Sequence, residues 1–245
     1  MNTYIEIMNL SKKFGEITAV DSISLNVNKG EVLGFLGPNG AGKTTTMRMI
    51  TGYLTANKGS IQICGKDIER ESVAAKSHIG YLPEGSPIYN EMNLVQFLKF
   101  CGEARNMESK HLKNRIEEII ELLHLENILS QALDTLSKGF KRRVGLAQAI
   151  IHDPDILILD EPTDGLDPIQ KQEVRELIRN MSENKAIIIS THILEEVDAV
   201  CSRAVILANG KIVIDRSKEE LREGAKKGNG LEDLFLKLAS ESRKN

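Results

Sequence analysis

Residues 37–45 have the composition of a loop that wraps phosphate groups. Their sequence, GPNGAGKTT, fits the pattern G-x-x-x-x-G-K-[ST], with a strand-like run before it and a helix-like run after it. The glycines let the backbone approach a phosphate chain, Lys43 neutralises its charge, and the Thr44 hydroxyl can ligate Mg²⁺. A plain glycine-rich turn with a surface lysine is the alternative, and it does not require those flanking elements. The predicted phosphate-binding positions are Gly37, Pro38, Asn39, Gly40, Ala41, Gly42, Lys43, Thr44 and Thr45.

Two consecutive carboxylates follow an apolar run later in the chain. The segment DILILDEP (155–162) predicts a buried strand that ends at Asp160 and Glu161. In an open α/β sheet, ligands bind at the carboxyl ends of the strands, so both side chains are expected beside the phosphates. Asp160 would hold Mg²⁺ through water, and Glu161 is the candidate general base for an attacking water. Without the phosphate loop, an acidic exit from a strand would be the ordinary interpretation.

A histidine follows the next predicted strand. His192 comes directly after AIIIS (186–190) and a threonine, where it can reach a terminal phosphate and help to orient water. A lone histidine is more often an ordinary core or surface group than a catalytic one. We interpret the other four histidines in that way: His78, His111, His124 and His152.

The segment LSKGFKRRVGLAQA (136–149) predicts a second anion-binding element. It has the form of a helix start, and the N-terminus of a helix carries free N–H groups and partial positive charge. Because residues 37–45 already provide for one phosphate chain, this second helix tip raises the question of whose phosphate it binds.

The composition is that of an ordinary globular chain. It has 245 residues, of which 41% are hydrophobic and 27% charged, which suits one domain with an inserted or appended lobe. The net charge of −3 gives no electrostatic reason to expect nucleic acid or an anionic membrane surface as the main partner. Three scattered cysteines without a C-x-x-C pair argue against a disulfide framework or a zinc site and favour a reducing compartment.

The sequence shows no sign of membrane insertion. No apolar run reaches the roughly 20 residues that a membrane-spanning helix needs. The first residues, MNTYIEIMNLSKKFG, lack the pattern of a signal peptide. Any action at a membrane is therefore expected to involve another chain that crosses it.

Hydrophobic periodicity predicts an α/β fold. Residues 4–7 and 23–27 alternate with the period of two that is typical of a half-solvated antiparallel sheet, and 31–37 reads as a central, continuously apolar strand. Strands that alternate with helices imply a parallel sheet covered on both faces. Other predicted elements are helices at 43–54, 169–181, 192–200 and 231–238, strands at 59–68, 155–160 and 186–190, and a hairpin with a type I′ turn at Asn209-Gly210.

Between residues 88 and 152, helical spacing replaces the strand pattern. The run HLKNRIEEIIELLHL places Leu112, Ile116, Ile119 and Leu123 on one stripe, which is typical of core packing. This segment predicts a helical lobe inserted into the α/β core.

These motifs, in this order, resemble the ATP-binding subunit of an ABC transporter over almost the whole chain. GPNGAGKTT is similar to the family's phosphate loop, ILILDE to its magnesium strand, and LSKGF to its signature motif, most often written LSGGQ. The resemblance implies a P-loop NTPase core with a mainly parallel sheet, an N-terminal antiparallel β subdomain and an inserted helical lobe. It also implies ATP and Mg²⁺ as cofactors, and Lys43, Glu161 and His192, the switch histidine, as catalytic residues.

The resemblance also explains the second helix tip. In this family two subunits pack head to tail, and each nucleotide lies between the phosphate loop of one and the signature of the other. Ser137 and Gly139 would then contact the γ-phosphate bound by a second subunit, Phe14 would stack on adenine, and Asp167 would lie in the D-loop, DGLDP, at the dimer contact. The implied Mg²⁺ ligands are Thr44, Asp160 and Glu84.

Three positions depart from the family's pattern. Lys138 stands where the signature usually has glycine, Phe140 where it usually has glutamine, and Glu84 where the Q-loop usually offers glutamine. A side chain at position 138 must point away from the nucleotide or add a cation to it. We expect Lys138 to be tolerated because only Ser137 and Gly139 approach the phosphate closely.

The resemblance further implies the organisation and the partners of the chain. Residues 1–87 and 153–230 would form the catalytic core with its β subdomain, 88–152 the helical lobe, and 231–245 a C-terminal helix and tail of one ABC ATPase domain. The segments YLPE, LSKG and LEDLFLKL resemble exporter subunits of the multidrug and gliding-motility type. The expected partners are separate transmembrane permease subunits, docked near Glu84, and a second ATP-binding subunit, either another copy or a relative; no nucleic acid is expected.

The same resemblance implies a cytoplasmic protein, peripheral on the inner face of the membrane through its permease. Three other functions stay open. One is a soluble ABC-type ATPase in protein assembly or nucleic-acid remodelling. The second is a P-loop kinase, against which the placement of Glu161 and His192 for water argues. The third is a module that binds nucleotide without hydrolysing it, against which the presence of all four residues, Lys43, Asp160, Glu161 and His192, argues.

Overall fold

Two β-sheets, eight α-helices and two short 3-10 helices, Glu126–Ile128 and Leu133–Thr135, make up the part of the chain that the computed structural model describes, residues 3–85 and 87–226. The strands are β1 (Thr3–Phe14), β2 (Ile17–Asn28), β3 (Val32–Leu36), β4 (Lys58–Ile63), β5 (Lys66–Asp67), β6 (Ile79–Leu82), β7 (Ile156–Asp160), β8 (Ala186–Ser190), β9 (Arg203–Ala208) and β10 (Lys211–Ser217). The helices are α1 (Lys43–Ile50), α2 (Ser72–Ser77), α3 (Leu94–Ala104), α4 (Ser109–Leu122), α5 (Lys138–Ile150), α6 (Pro168–Ser182), α7 (Leu194–Val200) and α8 (Lys218–Lys226).

The larger sheet has the strand order β10-β9-β3-β8-β7-β6. Its strands are parallel except for β10, which forms an antiparallel hairpin with β9. Strands β3, β7 and β8 are buried along their whole length, because both faces of the sheet are covered. Their carboxyl ends therefore meet at one edge, where Asp160 lies opposite Ser190 in the register.

Successive residues of these strands belong to two hydrophobic cores. Leu157 and Leu159 pack with the helices of the lobe, whereas Ile156 and Ile158 pack with α1 and the smaller sheet. The smaller, antiparallel sheet has the order β2-β1-β4-β5. The predicted α/β architecture, with its antiparallel N-terminal sheet, is confirmed.

The helical lobe consists of α3, α4 and the turns that lead into α5. The predicted stripe of Leu112, Ile116, Ile119 and Leu123 is buried in the lobe's core. Helix α5 joins the lobe to the larger sheet, since the Gln148 side chain donates to the carbonyl of Tyr81 in β6. The position of this lobe fixes where the signature residues, 136–140, are presented.

Several predicted elements differ from the structure. The helix expected over 43–54 ends at Ile50, and residues 79–82, for which no strand is predicted, form strand β6 at the edge of the larger sheet. The type I′ turn is confirmed by φ of 48° at Asn209 and 75° at Gly210. The predicted helix at 231–238 lies outside the described residues. Within the described ranges, no helix is both long and apolar enough to cross a membrane.

Candidate active site

The phosphate loop connects β3 to α1, which begins at Lys43. Two of its glycines are required by close backbone contacts. A β-carbon on Gly37 would lie 2.5 Å from the carbonyl oxygen of Leu207, and one on Gly42 would lie 2.5 Å from that of Ala19, both at positive φ. The backbone of the loop is therefore packed closely against β2 and β9.

The Lys43 ammonium lies inside the curve of this loop. Its Nζ donates to the carbonyl oxygens of Gly37 at 2.7 Å and Pro38 at 3.2 Å. Burial lowers the pKa of Lys43, while the carboxylates of Glu161 and Asp160 act in the opposite direction. The predicted lysine and the predicted carboxylates thus meet in one site.

Thr44 and Asp160 form a pair of oxygen donors on the other side of the loop. The Thr44 hydroxyl lies 3.4 Å from Asp160 Oδ2, and the Asp160 side chain is buried at the end of β7. Burial raises the pKa of the Asp160 carboxyl, and the nearby Glu84 carboxylate adds to this rise. Hydroxyl and carboxylate oxygens are the donors that Mg²⁺ prefers, so this pair suits the predicted ion.

Glu161 occupies an unusual backbone conformation. Its φ is +54°, in the left-handed region, and its N–H donates to the Ser190 carbonyl at 2.9 Å. His192 Nδ1 lies 2.9 Å from Glu161 Oε1, a hydrogen-bond distance. Burial raises the pKa of Glu161, and the hydrogen bond with His192 partly opposes that rise. The two predicted catalytic groups are therefore in direct contact, and the strained backbone aims the carboxylate.

The signature residues form the N-terminus of α5. Ser137 is the cap, and its Oγ accepts from the backbone N–H of Phe140 at 3.3 Å. Lys138 points sideways: its Nζ lies 2.8 Å from Asp164, and its stem covers Gly165. The lysine side chain thus extends away from the first turn of α5 and towards residues 164 and 165. Phe140 packs against the core of the lobe, which explains an aromatic side chain at this position.

The remaining predicted residues lie around this site in different ways. Asp167 caps α6 in a reciprocal arrangement with Gln170, whose N–H donates to it at 2.9 Å. Phe14 ends β1 with its ring 49% exposed, so one face can receive a flat ligand. Glu84 is exposed after β6. Among the described residues, no hydrogen bond joins the first turn of α5 to the phosphate loop of the same chain.

Residues 20–164 match the model of a known family, which is described as ABC transporter. The chain belongs to this family. It is 40% identical over 227 residues to the uncharacterized ABC transporter ATP-binding protein YhcH of Bacillus subtilis, covering 90% of this chain and 72% of that one. It is 35% identical to the Nod factor export ATP-binding protein I of Paraburkholderia xenovorans, over 89% of this chain and 72% of that one.

A solved structure described as an ATP-binding subunit of an ABC transporter has the same fold. Its TM-score is 0.88 at 28% identity, covering 96% of this chain and 99% of that chain. The present chain is accordingly an ATP-binding and ATP-hydrolysing subunit of an ABC transporter.

Sequence reasoning missed the part that Arg142 plays in this ABC subunit. Its guanidinium donates to the carbonyl oxygens of Pro83 at 2.7 Å, Glu84 at 3.0 Å and Glu161 at 2.6 Å, and also to that of Asp160. It therefore links the signature helix to the Q-loop segment and to the catalytic strand end. The sequence signal for this role is the position of Arg142 on the same helical stripe as Gly139, Leu146 and Ala149, which is buried. A buried guanidinium requires hydrogen-bond acceptors.

Glu196 is a second residue that sequence reasoning missed. Its carboxylate is buried and accepts from the hydroxyl of Thr191 at 2.7 Å and from that of Thr163. Thr191 directly precedes the switch histidine, and Thr163 lies two residues after Glu161. Glu196 thus ties together the two loops whose side chains meet at the hydrogen bond between Glu161 and His192.

Replacing Arg142 by glutamine is expected to lower kcat for ATP hydrolysis about 10- to 100-fold, the effect of losing a hydrogen bond to a charged group. The KM for ATP should change little, because Lys43 and the phosphate loop keep their contacts. Steady-state phosphate release measures both constants. Arg142→Lys should recover part of kcat, since it keeps the charge but not the planar fork.

The matched control for this prediction is Arg143→Gln. Arg143 is also buried, but it contacts the Leu123 carbonyl and Glu173, away from the catalytic carboxylates. A kcat loss of the same size in both variants, with the same fall in Tm, would show that Arg142 only supports the fold.

Proposed function

We propose that this chain binds Mg²⁺·ATP in the site described above and drives export of a substrate through separate membrane-spanning subunits. The observation that carries the ATPase part is the contact between Glu161 and His192 beside Lys43, Thr44 and Asp160. A base and a histidine placed for water suit hydrolysis better than transfer to a second substrate. The similarity to a protein named for Nod factor export supports the direction of transport.

Each residue has a distinct part in the proposed reaction. Lys43 and the loop N–H groups hold the phosphates, and Thr44 and Asp160 would hold Mg²⁺, with Glu84 as a further ligand. When bound, the ion neutralises charge on the phosphate oxygens. Glu161 accepts the proton of the attacking water, and its raised pKa matches that task. His192 fixes the Glu161 carboxylate and faces the γ-phosphate.

We infer that the site is completed by a second cassette. The N-terminus of α5, with Ser137 and Gly139, makes no hydrogen bond to the described phosphate loop of its own chain, and its Lys138 side chain lies to one side. An N-terminal helix end of this kind attracts a phosphate group. In a head-to-tail pair it would face the γ-phosphate of the other subunit, with Asp167 near the contact and Phe14 against adenine.

A cleft between the catalytic core and the helical lobe supports docking of a membrane partner. Its volume is about 590 Å³, and Tyr53 and Val73 on its rim are 79% and 87% exposed. Strand β6 contributes Ile79 and Tyr81 to the cleft and then leads directly to Glu84. An exposed apolar rim suits a protein partner, and movement there would be transmitted to the ATP site. Through such a partner the chain would lie on the cytoplasmic face of the membrane.

The proposed division of the chain into a catalytic core and a helical lobe places the boundary at this cleft. Residues 1–87 and 153–230 would form the catalytic core and 88–152 the lobe, so that the cleft separates two parts that can move against each other. Binding of ATP would close two cassettes and hydrolysis would release them, as a population shift between two states.

Purification of the chain from detergent-solubilised membranes of its source, followed by mass spectrometry, tests this proposal. We expect an integral membrane protein in stoichiometric amount. Val73→Asp should lose this partner and keep ATPase activity, whereas Val213→Asp, an exposed valine on β10, should keep both. A soluble partner, or none from membranes in which the ATPase is active, would favour an ABC ATPase in assembly or remodelling instead.

A further inference from the structure

Cys64, His78 and Asp155 meet in a cluster remote from the ATP site. One ligand atom from each, the Cys Sγ, a His ring nitrogen and a carboxylate oxygen, lies within 4.8 Å of the other two. The closest pair is His78 Nδ1 and Asp155 Oδ2, at 2.5 Å. All three residues are partly exposed, so that a small ion can reach them from solvent.

The backbone holds the histidine and the aspartate side by side. His78 precedes β6, Asp155 precedes β7, and the two strands are parallel neighbours with Ile79 opposite Ile156. The N–H of Ile156 donates to the carbonyl of His78 at 3.0 Å. Both side chains thus project from the amino edge of the larger sheet. Asp160 ends the same strand, about 16 Å away at the usual rise per residue, so this cluster is separate from the catalytic one.

Cys64 occupies a turn position that does not favour cysteine. It lies with Gly65 in the two-residue turn between β4 and β5, with φ of 49° and 76°. The hairpin between β9 and β10 has nearly the same angles, 48° and 75°, and uses Asn209 and Gly210, the residues that such a turn prefers. A cysteine at positive φ costs backbone energy that asparagine largely avoids. The conformation of the turn therefore does not explain why a cysteine occupies this position.

We propose that Cys64, His78 and Asp155 form a binding site for Zn²⁺ or a similar divalent transition metal. A thiolate, an imidazole and a carboxylate are the donors that Zn²⁺ takes in proteins, and three of them leave a fourth position for water. The sulfur and nitrogen donors select against Mg²⁺ and Ca²⁺, which prefer oxygen. Spacing in the sequence predicted no zinc site, because the ligands come from three separate segments and share no short motif.

A metal ion here would join the antiparallel sheet to the larger sheet. Cys64 belongs to the β4–β5 turn of the first, whereas His78 and Asp155 directly precede strands β6 and β7 of the second. Burial, together with the charge of Asp155, raises the pKa of the Cys64 thiol to about 11. The metal must therefore displace the thiol proton, and binding would release that proton to solvent.

Titration of the purified, tag-free and chelator-treated chain with Co²⁺ tests the site, because a thiolate bound to Co²⁺ gives a charge-transfer absorption band. We expect the band in the wild type and in Cys101→Ser, its loss in Cys64→Ser, and its disappearance when Zn²⁺ is added. His78→Ala and Asp155→Asn should each raise the Kd for Co²⁺ at least about tenfold. Loss of a group that only supports a metal ligand already lowers metal affinity by about 10- to 100-fold. The ATPase rate and Tm of Cys64→Ser verify that it folds.

A second measurement avoids substitutions. Alkylation of each cysteine in the wild-type chain can be monitored by mass spectrometry. Zn²⁺ should slow the alkylation of Cys64 and should leave the alkylation rate of Cys101 unchanged. Absence of the absorption band, its persistence in Cys64→Ser, or alkylation of Cys64 at the same rate with and without Zn²⁺ would overturn the proposal. Co²⁺ bound without a sulfur band would count against it too, because the oxygen ligands of the ATP site account for such binding.

Discussion

Replacing Glu161 by glutamine is expected to lower the rate of ATP hydrolysis about 10²- to 10⁴-fold, the usual contribution of a general base. The amide keeps the size of the side chain but cannot take the proton of the attacking water. ATP affinity should be retained, because the contacts of Lys43, Thr44 and Asp160 stay in place. The rate of phosphate release at saturating Mg²⁺·ATP measures the loss of hydrolysis, and a separate equilibrium titration with ATP measures whether affinity is retained.

Glu195→Gln is the control for this variant. Glu195 is an exposed carboxylate on α7 that pairs with Arg175, away from the catalytic carboxylates, so its loss should leave the rate unchanged. Hydrolysis by Glu161→Gln near the wild-type rate would mean that another group activates the water. The contact between Glu161 and His192 would then be structural.

Replacing Lys43 by alanine should instead weaken ATP binding itself. The Lys43 ammonium group lies inside the phosphate loop, where it donates to the carbonyl oxygens of Gly37 and Pro38. Loss of a charge-assisted contact of about 1.5–3 kcal/mol corresponds to a rise in Kd of about 10- to 100-fold. Calorimetric titration with ATP measures this Kd directly.

Lys113→Ala provides the comparison, since it removes an exposed lysine from α4 in the helical lobe. Its ATP affinity should equal that of the wild type. If Lys43→Ala also bound ATP with unchanged affinity, the loop at residues 37–45 would not be the phosphate-binding site, and the account of the catalytic residues would lose its basis.

The parts of the site that the sequence predicts are those encoded by contiguous motifs. The phosphate loop lies between a strand and a helix because its pattern requires both, and Asp160 and Glu161 end a strand of apolar residues. A parallel sheet brings such strand ends together whatever the details of packing. The direct contact between Glu161 and His192 also requires β7 and β8 to be neighbours, and the sequence does not predict that strand order.

The parts that the sequence does not predict depend on contacts between distant segments. Arg142 binds carbonyl oxygens of residues 83, 84, 160 and 161, and backbone carbonyls have no sequence pattern. Glu196 meets hydroxyls of Thr163 and Thr191 in the same way. Strand β6 has only four residues and lies at a sheet edge, too short for a periodicity to appear.

The departures from the usual signature also become interpretable from these contacts. Lys138 is held by Asp164 and lies over Gly165, so its side chain is directed to one side of the helix start. Phe140 is anchored in the lobe. Both substitutions thus alter the flank of the helix tip rather than the N–H groups that would face a phosphate.

The central claim is that the signature of one copy completes the ATP site of another, and mixing two inactive variants tests it most directly. Lys43→Ala damages the phosphate loop, and Ser137→Arg damages the signature. At an ATP concentration that saturates the wild type but lies well below the raised Kd of Lys43→Ala, each variant alone should be nearly inactive. In an equal mixture, half of the dimers carry both variants and regain one intact site of two, so the rate should recover to roughly a quarter of the wild-type rate. A mixture as inactive as its components, under conditions where the wild type hydrolyses ATP, would contradict the shared site.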